Sequence, residues 1–263
     1  MFRYFQYFDY YLEAFAKRLS GRGNGNPRKN GEFLVLRKII DNAQSEVCMV
    51  DGGANIGDHS MHFLSLCSDA NKISLLYAVE PFPATRGALE KRIGSSAGSV
   101  IGAALGDQIK KVSFYYDDAD GESGANSLLP HYYLSNKLEV DQITLDNLIA
   151  DKKIEKIDFL KLDIEGAELH ALMGASHALE HQLIDYIQLE YNQTWIEGGG
   201  TIEKILNLCK KYGYQLYRIG PKQLFSISRY HFILDDFCYS NLLLIKEGCP
   251  LPLPCRRNAL PNI

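Results

Sequence analysis

The sequence has no long apolar run and no cysteine pair at a metal-binding spacing. No stretch approaches the roughly 20 consecutive apolar residues that a membrane-spanning helix needs. A charged leader followed by an apolar core, which marks a signal peptide, is also missing. The six cysteines form no C-x-x-C motif, so a structural zinc site is not expected. Together these absences predict a protein of the reducing cytoplasm.

The chain also lacks an excess of positive charge. Its 28 Lys and Arg residues are outnumbered by 32 Asp and Glu residues, which gives a formal net charge of −4 at pH 7. Because contact with phosphate backbones calls for a basic face, the composition argues against a nucleic acid substrate. With 263 residues, of which 46% are hydrophobic, the chain is long enough to bury one large core.

What the chain does contain is a glycine-rich turn: residues 50–58 read VDGGANIGD. The apolar residues 47–50 before it predict a buried parallel strand. The residues after it place apolar side chains on one face of a helix. Strand, glycine turn and helix together form the first half of a nucleotide-binding unit.

The same turn indicates which nucleoside cofactor binds. As a dinucleotide motif it would place Ala54 where a glycine must admit the pyrophosphate, and Asp51 where a carboxylate repels it. A carboxylate suits a ligand that carries an ammonium and a sulfonium instead. As Asp51-x-Gly53-x-Asn55-x-Gly57, the turn matches a loop for S-adenosylmethionine, because asparagine tolerates the left-handed conformation. An NAD(P)-dependent oxidoreductase is the alternative interpretation.

A second acidic residue, Glu80, ends the next apolar run, at residues 73–79. In nucleotide-binding sheets, an acid at the end of the second strand accepts hydrogen bonds from ribose hydroxyls. We therefore expect Glu80 to bind the ribose of the cofactor. The plainer alternative is a solvated residue at a helix start, because Pro81 follows it.

Four segments together resemble the FkbM-type methyltransferases. They are VDGGANIGD at 50–58, YAVEPFP at 77–83, AALGD at 103–107 and FLKLDIEGAELHAL at 159–172. The string LDIEGAE is the most specific of them. The resemblance runs from about residue 32 to residue 191, with a weaker tail to about residue 247. Gly52 departs from it, since the family usually has a β-branched residue at this position.

This resemblance implies O-methylation with S-adenosylmethionine, often of a hydroxyl on a saccharide or a secondary metabolite. It also implies that Ala104 lies in the cofactor site and that Asp107 faces the adenine amino group. A protein that binds S-adenosylmethionine without turnover is a further alternative, because intact cofactor residues say nothing about catalysis.

The pattern after the turn alternates between strands and helices, which predicts a parallel sheet with helices on both faces. Strands are expected near 47–51, 73–79, 99–104, 157–163, 184–190, 214–219 and 241–246, and helices near 57–68, 83–93, 144–150, 167–173 and 201–212. The connection between the last two strands has no helical pattern, so the last strand is expected to be antiparallel. The prediction is therefore an α/β fold of the Rossmann-like class I methyltransferase type, with seven mostly parallel strands.

Three regions are expected along the chain. Residues 1–30 form an aromatic helix and a linker, residues 31–247 the methyltransferase domain, and residues 248–263 a C-terminal tail. Eight aromatic residues fall within the first 19 positions at helical spacing. This helix is expected to pack on the domain; a lid, a dimer contact or a membrane-surface contact through residues 2–19 are the alternatives.

An irregular segment at 107–143 interrupts the alternation and is expected to lie beside the substrate. It contains Ser123, Asn126 and Ser127, which can form hydrogen bonds with an acceptor, although a solvated loop is equally consistent with the pattern. The acceptor itself is predicted to be a small molecule or a saccharide.

A hydroxyl acceptor must lose its proton as the methyl group arrives, so the site needs a base. Carboxylates after the fourth and fifth strands are the candidates, above all Asp163 and Glu165. Asp163 is also expected to contact the methionine part of the cofactor. Lys161 lies inside a strand, where a lysine is costly to bury unless it is paired. It is expected to pair with Asp51 or Asp163, or, with a pKa lowered by burial, to act as the base itself.

Two further possibilities are open at the same strand ends. Asp163 and Glu190, with Asn192 nearby, have the oxygen ligands that Mg²⁺ prefers. Such sites have no strict sequence spacing, so no metal is predicted. His59, close to the cofactor loop, is a further candidate base, although a lone histidine is more often a surface or capping residue.

Overall fold

The computed structural model describes residue 17 and residues 21–94, 97–116, 127–129 and 136–257. The predicted aromatic helix at 2–19, apart from residue 17, lies outside these residues, and so do Ser123 and Asn126. No helix in the described part of the chain is both long enough and apolar enough to cross a membrane.

Strands account for much of the described chain. They are β1 (Glu46–Gly52), β2 (Ile73–Val79), β3 (Ser99–Ile101), β4 (Ala104–Leu105), β5 (Lys110–Tyr116), β6 (Asn136–Ile143), β7 (Ile157–Leu162), β8 (Ile184–Tyr191), β9 (Tyr214–Ile219), β10 (Leu224–Ser226), β11 (Ser240–Lys246) and β12 (Cys255–Arg257).

Helices separate most of these strands. They are α1 (Pro27–Asn30), α2 (Glu32–Asn42), α3 (Asp58–Asp69), α4 (Pro83–Ile93), α5 (Leu145–Lys152), α6 (Glu168–Met173), α7 (Ser176–Glu180) and α8 (Ile202–Tyr212), with short 3₁₀ turns at Gln193–Ile196 and Phe232–Leu234.

The main sheet has nine strands in the order β12-β10-β9-β11-β8-β7-β1-β2-β3. The pairs β3–β2, β2–β1, β1–β7 and β7–β8 are parallel, whereas β11 runs antiparallel between β8 and β9. Helices α2 to α4 contribute buried residues to the core on one face, and α5 to α8 to the core on the other. The predicted Rossmann-like α/β class and the reversed last strand of the methyltransferase sheet are confirmed.

The sheet is wider than the seven predicted strands. Strand β10 pairs with β9, and β12 pairs with β10, so both extend the edge beyond β9. Each is only three residues long, which is too short to show an alternating pattern in the sequence. They form because the open edge of β9 has backbone groups that need partners.

The predicted third strand is divided between two sheets. Its first part, β3, pairs with β2, whereas β4 joins a separate three-stranded sheet in the order β4-β6-β5. The hairpin β5–β6 occupies much of the irregular segment at 107–143. That segment therefore forms a small sheet of its own beside the carboxyl ends of the main strands.

The predicted linker is ordered where the structure describes it. Helix α1 begins after Asn26, whose side chain accepts a hydrogen bond from the backbone N–H of Arg28. A Cβ on Gly31, where φ is +106°, would lie 2.1 Å from the carbonyl oxygen of Gly220. The segment thus lies directly against the end of β9. The division of the chain at residue 30 stays a prediction.

Two core contacts bear on the site. A Cβ on Gly52 would lie 2.8 Å from Cδ1 of Leu105 and 2.9 Å from Cδ2 of Leu162, so these leucines fill the space that a side chain would need. Tyr191 and Trp195 are 0% and 1% exposed, and their ring centroids are 4.9 Å apart. Both rings pack in the core and do not line an acceptor pocket.

Candidate functional site

Two clefts open at the carboxyl ends of the parallel strands, where open α/β sheets bind their ligands. The first cleft is lined by Glu80 and Ala104 and by three carboxylates near the ends of β7 and β8. These are Asp163, Glu165 and Glu190. The second cleft lies across the glycine turn and is lined by residues that include Asp51, His59 and Lys161. Gly53, Asn55 and Asp163 line both clefts, so the turn separates the two halves of one larger site.

The glycine turn is held in a conformation that its residue types allow. Gly53 has φ of +76°, and a Cβ there would lie 1.9 Å from the carbonyl oxygen of Asp163. Asn55 has φ of +48°, as expected for an asparagine that replaces a glycine. The turn therefore brings the end of β1 against the end of β7 with no side chain between them.

Asp51 presents a carboxylate oxygen that has no partner. Its side chain is fully buried, and Oδ2 accepts a 2.7 Å hydrogen bond from the hydroxyl of Ser60. Oδ1 is buried without a hydrogen-bond partner. An unpaired buried carboxylate oxygen costs free energy, and a ligand ammonium would remove that cost. This corner therefore fits the amino group of an amino-acid nucleoside.

The carboxylate of Glu80 is held in place by donors from the backbone and a side chain. Oε2 accepts the N–H of Asn55 at 2.9 Å, and Oε1 accepts the N–H of Phe82 and the hydroxyl of Thr85, each at 2.9 Å. Burial raises the pKa of Glu80, and these hydrogen bonds act in the opposite direction. The carboxylate lines the first cleft, which is where a ribose acceptor is expected.

The two residues predicted after the third strand are found in different places. Ala104 is buried in β4 and lines the first cleft. Asp107 lines neither cleft, and its Oδ1 lies 3.7 Å from Nζ of Lys110. The structure therefore does not bring Asp107 to either cleft, because the chain leaves the main sheet after Ile101 and continues into the smaller sheet through β4.

Lys161 is buried and paired. Its Nζ donates a 2.8 Å hydrogen bond to Oδ2 of Asp163, and it lies beside Asp51 in the register of β7 and β1. Burial alone would lower the pKa of Lys161, but the negative charges of Asp163, Asp51 and Glu32 hold it above its usual range. A lysine that stays protonated cannot accept a proton. The pairing is as predicted, whereas the role of Lys161 as a base is not supported.

Three carboxylates converge where β7 and β8 end. Oxygens of Asp163, Glu165 and Glu190 all lie within 4.8 Å of one another. Glu165 has φ of +50°, a left-handed conformation that few residues adopt. Glu168 holds this turn in place, because its carboxylate accepts hydrogen bonds from the backbone N–H groups of Ile164 and Gly166, each at 3.0 Å.

These carboxylates differ in their affinity for protons. Burial and the charge of Asp163 raise the pKa of Glu165 to about 7. Burial and Asp163 also raise the pKa of Glu190 well above its usual range, whereas Lys161 overcomes burial and lowers that of Asp163. Asn192 donates to Glu190 at 3.1 Å and lies 3.5 Å from Glu165. Asp163 therefore keeps its charge more readily than its two neighbours, Glu190 holds a proton more readily than an ordinary carboxyl group, and Glu165 titrates close to neutral pH.

One residue of this region was not predicted from the sequence. Glu32, at the start of α2, is buried with Oε2 2.7 Å from Nε2 of Gln188 and 3.1 Å from Nε2 of His59. Burial would raise its pKa, but the hydrogen bond and charge of His59, with Lys161, lower it. In the sequence, an acid in the first turn of a helix is explained by the helix dipole alone. No motif marked Glu32 for the site.

Three features define a class I methyltransferase: the mostly parallel sheet with a reversed strand, the glycine turn, and the acids at the ends of β1 and β2. The family model for the Methyltransferase FkbM domain matches residues 51–216, which is more than half of the chain. The chain belongs to the FkbM methyltransferase family. Its cofactor, S-adenosylmethionine, is thereby confirmed against the dinucleotide alternative.

Known relatives share part of the sequence. The chain is 25% identical over 161 residues to hexuronic acid methyltransferase AglP of Haloferax volcanii, covering 61% of this chain and 62% of that one. It is 23% identical over 217 residues to 2-O-methyltransferase NoeI of Sinorhizobium fredii, covering 76% and 87%. It therefore spans less than two thirds of the length of AglP.

Among solved structures, a methyltransferase FkbM from Methylobacillus flagellatus is similar. The sequence identity is 19% and the TM-score 0.49, with 76% of this chain and 44% of that chain covered.

Proposed function

We propose that the protein transfers a methyl group from S-adenosylmethionine to a hydroxyl of a saccharide or a secondary metabolite. The observation that carries this proposal is the position of Glu165. It lines the first cleft together with Gly53 and Asn55 of the glycine turn, and its pKa is raised to about 7. A carboxylate with such a pKa is well matched to removing a hydroxyl proton near neutral pH.

The cofactor has a place along the two clefts. The unpaired Oδ1 of Asp51 would accept the ammonium group, and Glu80 would accept the ribose hydroxyls. Ala104 would lie against the adenine side of the first cleft. When bound, S-adenosylmethionine supplies a methyl group that its sulfonium has already activated. The task of the chain is to position the acceptor and to remove its proton.

Asp163, Glu165 and Glu190, near the ends of β7 and β8, have different roles in this task. Asp163 is kept ionised by Lys161, and its side chain is 31% exposed towards the clefts, so its charge favours a sulfonium nearby. Glu165 would accept the proton of the acceptor hydroxyl. Glu190, whose pKa is raised by burial and by Asp163, accepts a hydrogen bond from Asn192 and would help to orient the acceptor.

The acceptor class is supported by the relatives. One of them is named for a hexuronic acid, a sugar that has hydroxyls and a carboxyl group, and another for methylation at a 2-O position. The negative charge of the chain agrees with a small acceptor rather than with a nucleic acid.

A direct test measures release of S-adenosylhomocysteine with a panel of monosaccharides, uronic acids and phenolic metabolites. We expect turnover with at least one hydroxyl acceptor, and a loss of about 100-fold or more in kcat for Glu165→Gln. The affinity for S-adenosylhomocysteine should stay within about twofold, because Glu165 is assigned to the acceptor.

Asn192→Ala is the matched control, since it removes a contact of Glu165 and keeps the carboxylate. Full activity in Glu165→Gln would show that Glu165 is not the base. Stabilisation of the protein by NAD, with none by S-adenosylhomocysteine, would remove the methyltransferase proposal altogether.

A further inference from the structure

The second cleft carries a charge pattern that the proposed function leaves unexplained. Of the described residues that line it, two can be positively charged, Lys161 and His59. Lys161 is occupied, because its Nζ is bonded to Asp163 at 2.8 Å. Asp58 is 69% exposed on its side chain and is paired with Arg92 at 2.8 Å, so its charge is directed away from the cleft. His59 is therefore the group available to an anion in this cleft.

A ligand with one amino-acid end needs groups of both signs. Asp51 offers an unpaired carboxylate oxygen to an ammonium. The carboxylate on the same carbon atom of that ligand must then lie close by, and it needs a donor of its own. His59, 17% exposed on its side chain, lines the same cleft as Asp51.

Glu32 gives His59 the properties that this task requires. Its Oε2 lies 3.1 Å from Nε2 of His59, so the ring is oriented with Nδ1 left for another partner. Glu32 is buried and also accepts from Gln188 at 2.7 Å, which holds the carboxylate in place. The carboxylate thereby fixes the position of the imidazole ring of His59. The ring of Phe33 packs edge-on at 5.1 Å and limits its rotation.

The backbone adds to the same field. His59 is in the first turn of α3, a helix of 12 residues that follows the glycine turn. The first N–H groups of a helix have no partner within it, and its positive end attracts anions. The first two residues of that helix, Asp58 and His59, both line the second cleft.

We infer that His59, held by Glu32, binds the α-carboxylate of the methionine part of the cofactor. The inference rests on the proposed function and adds the group that recognises the acid end of the ligand. Glu32 is a positioning residue, which acts through His59. Helix α2, which begins with Glu32, thereby takes part in cofactor binding, although it precedes the glycine turn in the chain.

The test compares two ligands that differ in the amino-acid end. S-adenosylhomocysteine has that end, whereas 5′-deoxy-5′-methylthioadenosine keeps the adenosine and the thioether without it. Affinities are measured by calorimetry for the wild type, His59→Phe and His59→Gln. We expect His59→Phe to weaken S-adenosylhomocysteine binding about tenfold and to leave methylthioadenosine within about twofold, because a charge-assisted hydrogen bond is lost.

His62→Phe is the matched control. It lies on the same helix and stacks on the same Phe33 ring at 3.8 Å, but it lines neither cleft. It should bind both ligands like the wild type. Glu32→Gln should weaken S-adenosylhomocysteine binding less than His59→Phe, again without an effect on methylthioadenosine.

Each outcome separates the two proposals. If both His59 variants change the two affinities equally, whether by a large factor or not at all, the inference is wrong. A wild type that binds neither ligand would contradict the proposed function instead. Unchanged affinities with a lower kcat would assign His59 to the acceptor rather than to the carboxylate.

Discussion

The two sides of the site are built differently. On the cofactor side, the carboxylate of Glu80 is held by backbone and hydroxyl donors, each at 2.9 Å, and Asp51 is held by Ser60. On the acceptor side, the carboxylates of Asp163, Glu165 and Glu190 lie within 4.8 Å of one another. On the first side, neighbouring backbone and hydroxyl groups fix the geometry of the carboxylates, whereas on the second side burial, neighbouring carboxylates and Lys161 set their charge.

This difference matches what each side has to do. A cofactor of constant charge is bound best by groups that are fixed before it arrives. An acceptor that loses a proton needs a group that can change its charge near the working pH. Substitutions on the cofactor side should therefore change affinity, whereas pH should act on the acceptor side.

The largest effect is expected for Asp51→Ala. It removes the buried oxygen assigned to the ammonium, so the affinity for S-adenosylhomocysteine should fall about 100-fold in calorimetry. Ser60→Ala is the control, because it removes the donor to Oδ2 and keeps the carboxylate; a drop of about tenfold or less is expected. Wild-type affinity in Asp51→Ala would mean that the glycine turn does not hold the amino-acid end.

A smaller effect is expected from pH. Burial and Asp163 raise the pKa of Glu165 to about 7, so this side chain is protonated, and inactive as a base, below that pH. With an acceptor from the panel, kcat/KM should rise about tenfold per unit up to pH ~7 and then level off. A level kcat/KM from pH 5.5 to 8 would contradict the assignment of Glu165 as the base.

The smallest effect is expected at the border of the cofactor side. Asp107 lines neither cleft and lies 3.7 Å from Lys110, so Asp107→Ala should change the affinity for S-adenosylhomocysteine by about twofold at most. Isothermal titration beside Asp51→Ala makes the comparison direct. A loss of tenfold would restore the adenine contact that the family resemblance implied.

The cofactor side of the site could be predicted from the sequence because its main residues lie close together in the chain. Asp51, Gly53, Asn55 and Gly57 lie within one turn, and the left-handed conformation of Asn55 follows from its residue type. The reversed strand β11 was predictable for a similar reason, since the connection before it lacks a helical pattern. In both cases the pattern that allows the prediction lies within one continuous segment of the sequence.

The remaining features depend on residues that are distant in the chain. Glu32 reaches Gln188 across the sheet, and no local pattern distinguishes it from an ordinary acid at a helix start. Whether the pKa of Lys161 is raised or lowered depends on how many carboxylates surround it, and the sequence does not reveal that number. The short strand β10 depends on the free edge of β9, and β12 in turn depends on the edge of β10.

The leucines beside Gly52 restrict how this protein can diverge. The β-branched residue that is common at position 52 would bring its Cβ too close to the ends of Leu105 and Leu162, so both side chains would have to shift or be replaced by smaller residues. These three positions should therefore tend to vary together among close homologues. Glycine at position 52 avoids that rearrangement and leaves a strand end whose backbone retains more freedom before folding.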